Sequence, residues 1–383
     1  VKPHQGEKAE KAGTSMNIGI AREIKKHEYR VGATPHCVSS YTRAGHNVVL
    51  EKGAGLGAGY PDEAYESAGA RIESNKRRLF ERSEMIIKVK EPLPEEYDLL
   101  QKGQILFTYL HLASNRKLTQ ALLTSGVRAV AYETIQAPDG SLPCLIPMSE
   151  IAGRLAIHEG AKYLENTFGG RGILLSGIPG VKRGKVVIIG GGVVGINAAK
   201  IATGMGAEVT ILDISAKRLA YLDDIFGSRI QTLFSNETNI YDSIIEADIV
   251  IGAVLLPGAA PPKLIKRKHL KKMKKGAVIV DVAVDQGGCA ETTRPTTHDD
   301  PIYIIDDVVH YCVANMPGVV ALTATLALTN YTLSYGRAIA DLGIEEAVRQ
   351  SSDIRMGINI WDGKITHKAL AASLKMPYNP LPL

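Results

Sequence analysis

From Met16 onward, short apolar runs alternate with stretches whose apolar residues recur at helical spacing. MNIGIA (16–21) reads as a strand, Pro35 to Ala44 as a helix and NVVLE (47–51) as the next strand. A helix through Asp62–Ser67, strands MIIKVK (85–90) and ILFTYL (105–110), a helix from Asn115 to Thr124 and a strand RAVAYE (128–133) follow. Such runs, apolar almost throughout and separated by helices, predict a parallel sheet covered on both faces. APDGSLP (137–143) is turn chemistry and marks a boundary. Ser149 then caps a predicted helix towards Thr167, its turns marked by Ile151, Leu155, His158 and Lys162. A glycine-rich connection leads to a second βα series at KVVII (185–189), EVTILD (208–213), ADIVIGAV (247–254), AVIVDVAV (277–284) and IYIID (302–306). From Val319 the pattern turns helical, and the last segment, ending YNPLPL, returns to the first domain.

Composition narrows this picture without redirecting it. A chain of 383 residues suits two domains, and 45% hydrophobic with 22% charged residues is the balance of an ordinary folded protein. The net charge of +5 fits an anionic cofactor or substrate. The densest basic run, Lys263 to Lys275, carries no interleaved aromatic residue and reads as a solvated helix and loop, so no nucleic-acid partner is expected. Cys37, Cys144, Cys289 and Cys312 are far apart without a CxxC pair, which reads as free thiols in a reducing cytoplasm and gives no metal site. No apolar run is long enough for a membrane span. Residues 1–15 are polar and lack the apolar core of a signal peptide; they read as a disordered or non-native extension, with Met16 as the natural start.

The strongest single motif is Gly190-Gly191-Gly192-Val193-Val194-Gly195, a GxGxxG through Gly190, Gly192 and Gly195. It follows an apolar strand, opens a helical run, and precedes a second strand that ends in Asp213. Gly190 permits the tight turn, Gly192 lets backbone amides approach a pyrophosphate, and Gly195 lets helix and strand pack closely. The helix start favours phosphate, and a carboxylate at Asp213 accepts ribose hydroxyls while repelling a 2′-phosphate. The cofactor expected is NAD. Arg218 either softens that preference or is a solvated helix residue.

Charged residues also cluster at predicted strand ends: Arg30 after the first strand, Lys88 and Lys90 in MIIKVKEPLP, His111 past ILFTYL, and Asp285 after VIVDVAV. Residues at the carboxyl ends of parallel strands converge on the ligand crevice. Oxidising an amino acid with NAD needs a cation for the carboxylate, for which Arg suits best, and a second positive group such as Lys90. It also needs a base working near neutral pH, for which His111 suits, and Asp285 could share the proton traffic. The alternatives are a pairing of Arg30 with Glu28 or Glu23, a solvated edge position for Lys88, and a structural role for His111.

The whole chain from Met16 resembles the alanine dehydrogenase family. The resemblance rests on REIKKHEYRV, KVKEPLPEEYDLL, ILFTYLHLA, PMSEIAGRLA, GGRGILLSGIPGV, IGGGVVG, VDVAVDQGGCAETTRPTTH and YCVANMPG, in that order. It implies an α/β fold of two Rossmann-like doubly wound parallel-sheet domains with an interdomain cleft. Residues 16–146 plus 321–383 would form a discontinuous substrate-binding domain, and 147–320 the NAD-binding domain. The implied activity is reversible oxidative deamination of L-alanine to pyruvate and ammonium, a step of amino-acid catabolism. Arg30 and Lys90 would bind the substrate carboxylate and carbonyl, and His111 and Asp285 would be the acid/base pair. Ser149 and Asn315 match positions near the nicotinamide and Ser235 one near the adenine half. The family is usually hexameric, so a homo-hexamer is expected. Ala21 and Ala321 stand where the family usually has Pro, which bears on local loop shape alone. A transhydrogenase NAD-binding subunit and a saccharopine-type dehydrogenase are the nearest alternatives.

Overall fold

The structure is a computed structural model that describes residues 15–254 and 261–383. The extension expected at residues 1–15 lies, apart from Ser15, outside the described residues. Two compact units divide the chain: residues up to Leu145 together with Val320–Leu383, and Ile146–Val319.

In the first unit the chain runs β1 (Asn17–Ile20), α1 (Pro35–Arg43), β2 (Asn47–Glu51), α2 (Asp62–Ser67), β3 (Arg71–Glu73), α3 (Lys76–Arg82), β4 (Met85–Ile87), β5 (Ile105–Thr108), α4 (Arg116–Ser125) and β6 (Arg128–Ala131). The second unit contains α5 (Ile146–Tyr163), β7 (Lys185–Ile189), α6 (Val193–Gly204), β8 (Glu208–Asp213), α7 (Ala216–Phe226), β9 (Gln231–Phe234), α8 (Glu237–Ile245) and β10 (Ile249–Gly252). It continues with α9 (Arg267–Leu270), β11 (Val278–Asp281), β12 (Ile302–Ile305) and β13 (Val308–Tyr311). The chain then re-enters the first unit through the long helix α10 (Ala321–Leu342) and the strands β14 (Ile358–Trp361) and β15 (Lys364–Ile365).

The first sheet has the order β15-β14-β6-β5-β4-β1-β2-β3 and the second β12-β13-β11-β10-β7-β8-β9 among the described residues. Both are parallel except at one edge, where β14 and β15 or β12 run antiparallel to their neighbours. The six parallel strands of each unit, numbered along the chain, lie in the same order 3-2-1-4-5-6. This is the doubly wound arrangement with a switch point between its first and fourth strands. Central strands β4, β5, β10 and β11 are buried at every position, as helices on both faces require.

The helix starts follow capping chemistry. The Thr34 side chain accepts the Cys37 amide with Pro35 at the first helical position, and Asn115 accepts the Leu118 amide ahead of α4.

Three expectations need correction. The carboxyl-terminal segment is not helical throughout, because β14 and β15 form a hairpin across Asp362-Gly363, whose φ angles are 47° and 81°. That Asp-Gly between apolar runs is a hairpin signal in its own right. The strand expected at IYIID likewise turns through Asp306 and Asp307, at φ 49° and 61°, into the unforeseen β13. Ser149 does not cap its helix: α5 begins at Ile146, putting Ser149 inside the first turn, and it ends at Tyr163 rather than Thr167. Pro147, near the start of α5, needs no amide partner there and lets the helix begin earlier.

Candidate functional site

The switch point of the first sheet lies between β1 and β4. The chain leaving β1 carries Glu23, Lys25, Glu28 and Arg30; the chain leaving β4 carries Lys88, Lys90 and Glu91; and β5 leads into Tyr109 and His111. Beyond β4 the backbone stays joined to β5, since the Lys88 amide donates to Phe107 O and the Tyr109 amide to Val89 O. The Glu23 carboxylate accepts the amides of Val89 at 2.6 Å and Lys90 at 3.3 Å, tying the exits of β1 and β4 together.

Alternate residues past β4 part company here. Lys88 is wholly buried, with Nζ 3.1 Å from Glu96 and 3.3 Å from Glu23, so the solvated-edge reading fails. Lys76, 2.9 Å from Glu96, completes a buried charge cluster. Lys90 is part-buried near Arg30, and burial followed by the Arg30 cation pushes its ammonium below the ordinary lysine range.

Arg30 is buried, and its guanidinium makes a two-point contact with Glu28: Nε donates to Oε1 at 2.6 Å and a terminal nitrogen to Oε2 at 2.5 Å. The pairing with Glu28 is therefore real, and it fixes the orientation of a guanidinium that interacts electrostatically with Lys90 and Tyr109. Fixed orientation suits planar recognition of a carboxylate.

His111 sits in left-handed backbone at φ 50°, an uncommon setting for a non-glycine residue. The Glu133 carboxylate accepts the amides of Leu110 and His111, the latter at 2.6 Å, and so supports the turn. The half-exposed imidazole stacks on Tyr109 with ring centres 5.8 Å apart, and its Nδ1 lies 3.7 Å from Glu91 Oε2. Burial works to raise the Glu91 carboxyl, but His111, Lys25 and Lys90 together outweigh it and hold it well below the usual carboxylate range. Arg30, Lys90 and His111 are thus gathered at one switch point through shared neighbours.

In the second unit, Gly190 turns the chain at φ 104°, where a Cβ would come 2.7 Å from Ala253 O. A Cβ on Gly195 would come 1.9 Å from Gly190 O, so strand and helix approach as only glycine allows. At Gly192, the N-cap of α6, a Cβ would meet nothing within 4 Å. This is space beside a helix start whose first amides, at Val193 and Val194, have no partner within the helix. A pyrophosphate fits this cradle.

Asp213 ends β8, and its two oxygens accept the amides of Gly191 and Ser215, each at 2.8 Å. Lone pairs remain for ribose hydroxyls. The Ser235 amide donates to Asp213 O at 2.9 Å, placing Ser235 beside the same strand end. Arg218 is no solvated helix residue: it folds back so that its guanidinium donates to the carbonyls of Gly191 and Gly192. Ser149 stands one turn before Gly153 on the same face of α5, and a Cβ on Gly153 would come 2.2 Å from Val194 O. Asn315, at φ 60°, follows β13.

Asp285 lies exposed in a short 3-10 turn after β11. Its loop is organised by a carboxylate that sequence reasoning missed. The buried Asp281 accepts from the amides of Ala283, Cys289 and Ala290 and from the Thr293 hydroxyl. Lys263 closes the loop from outside by donating to Gly288 O at 2.9 Å. The signal for Asp281 was a carboxylate ending an otherwise apolar strand. Glu91 and Glu133 carried none beyond their places after predicted strands. Among the described residues, no helix is long and apolar enough to cross a membrane.

Comparison with known proteins agrees with this architecture. The family model "Alanine dehydrogenase/PNT, N-terminal domain" matches residues 19–152, and "Alanine dehydrogenase/PNT, C-terminal domain" matches residues 156–368. An alanine dehydrogenase of Methanococcus maripaludis is 54% identical over 366 residues, covering 95% of this chain and 98% of the relative. A solved L-alanine dehydrogenase superimposes with a TM-score of 0.91 at 51% identity, over 94% of this chain and 99% of that one. A transhydrogenase structure from Sinorhizobium meliloti shares the fold, with a TM-score of 0.80 at 23% identity over 91% of this chain and all (100%) of that one. With two matching domains and close relatives along nearly its whole length, this chain belongs to the alanine dehydrogenase/PNT family.

Proposed function

We propose that this chain catalyses the NAD-dependent reversible conversion of L-alanine and water to pyruvate and ammonium. The observation that carries the reading is the gathering of Arg30, Lys90 and His111 at the switch point of the first sheet. The second unit, by itself, carries a glycine turn and Asp213 at the carboxyl ends of its own strands. The first unit is the substrate-binding domain and the second the NAD-binding domain.

When bound, NAD supplies the acceptor for the hydride leaving the substrate Cα. Everything else falls to the chain. Gly190, Gly192 and Gly195, with the Val193 and Val194 amides, seat the pyrophosphate, and Asp213 takes the adenosine ribose. Ser235 borders the adenine half, and Ser149 and Asn315 the nicotinamide. Arg30, oriented by Glu28, grips the substrate carboxylate, and Lys90 stabilises charge on the carboxylate and the developing carbonyl oxygen. His111 takes a proton from the substrate ammonium, so that a nitrogen lone pair can form the iminium bond as the hydride departs. Once that proton has passed to solvent, the neutral imidazole deprotonates the water that adds to the iminium carbon, and the same proton returns to the nitrogen that leaves. Asp285 shares these transfers as the carbinolamine expels ammonia, which leaves as ammonium. The enzyme is a cytoplasmic homo-hexamer that requires no metal.

The test is direct: purified protein with NAD and L-alanine should produce NADH, with L-serine and L-leucine as comparisons. Absence of alanine-dependent NADH formation would sink the reading.

A further inference from the structure

Catalytic bases need their own positioning, and the surroundings of His111 supply it from one side. Glu91 Oε1 receives the Lys25 ammonium at 2.5 Å, which anchors the carboxylate. Its other oxygen, Oε2, is buried and accepts no hydrogen bond, yet it lies 3.7 Å from His111 Nδ1. A buried carboxylate oxygen without a donor is costly, and a small rotation of the half-exposed imidazole closes the gap. The Tyr109 ring lies alongside the imidazole, with ring centres 5.8 Å apart and an interplanar angle of 26°. Glu133 fixes the backbone beneath by accepting the His111 amide.

Resting on the reading of His111 as the base, we propose that Glu91 is its positioning residue: Oε2 receives Nδ1–H and leaves Nε2 as the atom that exchanges protons with substrate. Glu91 touches no reacting atom itself. Its carboxylate fixes the tautomer and stabilises the imidazolium that forms when Nε2 takes a proton. The charged groups facing the pair are Lys25 from the exit of β1, Lys90 on the same segment as Glu91, and Glu133 from the exit of β6. His111, then Lys25 and Lys90, outweigh burial and keep Glu91 a carboxylate. The pairing also couples the two halves of the site, because Glu91 lies against Lys90 as well as His111.

The test combines a spectroscopic and a kinetic reading. Nitrogen-15 NMR of the histidine-labelled wild type, with His111 assigned by the signal lost in His111→Ala, should show the neutral ring protonated at Nδ1. An Nε2-protonated ring would overturn the proposal without any Glu91 variant being made. Glu91→Gln, nearly isosteric, should shift that signal towards a tautomer mixture. It should lower kcat by about tenfold or more, part of the roughly 10²–10⁴ that a positioned base contributes, with NAD affinity unchanged. Adding Glu91→Gln to His111→Ala should cost nothing further. An inactive His111→Ala beside a Glu91→Gln of wild-type kcat and tautomer would remove the inference and leave the function standing. An active His111→Ala would instead remove the reading of His111.

Discussion

The Glu133 carboxylate accepts the main-chain amide of His111 at 2.6 Å and so braces a left-handed residue at the mouth of β5. Left-handed backbone costs a residue with a Cβ roughly 1–2 kcal/mol, which the surrounding bonds must offset. Strain held this way at a strand end points to a side chain whose direction matters. His111→Ala should therefore lose about 10²-fold or more in kcat while NAD affinity, measured by fluorescence titration, stays at the wild-type level. Wild-type turnover in that variant would refute the base.

Two glycines of one turn should respond in opposite ways. Gly195→Ala drives a methyl to 1.9 Å from Gly190 O, so it should unfold or severely destabilise the second unit. Gly192→Ala meets nothing within 4 Å and should cost at most about 1 kcal/mol in stability as a changed N-cap. Gly192→Ala should nevertheless weaken NAD binding, because the methyl occupies the space assigned to the pyrophosphate. Thermal melting and NAD titration on the two variants separate these effects.

Asp213 is the group expected to set cofactor choice. Asp213→Ala removes both the ribose acceptor and the repulsion of a 2′-phosphate, and leaves Arg218 beside the turn. The ratio of kcat/KM for NAD over NADP should fall by about tenfold or more, consistent with losing a charge-assisted hydrogen bond of about 1.5–3 kcal/mol. An unchanged ratio would place cofactor selection elsewhere.

Lys88 offers a pH test with a definite sign. Burial works to raise the Glu96 carboxyl, but Lys88 and then Lys76 outweigh it and hold it below its ordinary value. A carboxyl depressed in the fold stabilises above its unfolded pKa, and that stability is lost as pH falls through the folded one. In Lys88→Met, Glu23 and Glu96 lose their buried cation, and burial dominates both. The variant should lose about 3–5 kcal/mol at neutral pH. The deficit should shrink as pH falls towards 5, because protonation relieves the stranded carboxylates. Denaturant melts of both proteins across that range would show it, and a deficit that grows on acidification would contradict the cluster.

Much of this protein was legible in its sequence. Apolar runs marked most parallel strands, because a strand buried on both faces has no polar positions to blur it. The glycine turn was readable because its three positions answer separate steric demands, at Gly190, Gly192 and Gly195. Strands β13, β14 and β15 were harder. β13 and β14 are buried throughout but only four residues long, and each is one arm of a tight hairpin, so their signals lay in short turns such as Asp362-Gly363. Ser149 was misplaced as a cap because helix starts depend on where the preceding loop releases the chain.

By itself the sequence determined two βα series, a nucleotide-binding turn and a set of charged residues at strand ends. Those properties are local: burial pattern, turn sterics and short spacing decide them. Only the tertiary structure decided that Lys88 is buried between Glu23 and Glu96 while Lys90, two residues on, stands beside Arg30. It likewise decided that Glu91 rather than a nearer neighbour faces His111, across 20 residues of chain (111 − 91). Partnerships among charges depend on which strand ends the sheet order makes adjacent, and that order is a property of the whole fold.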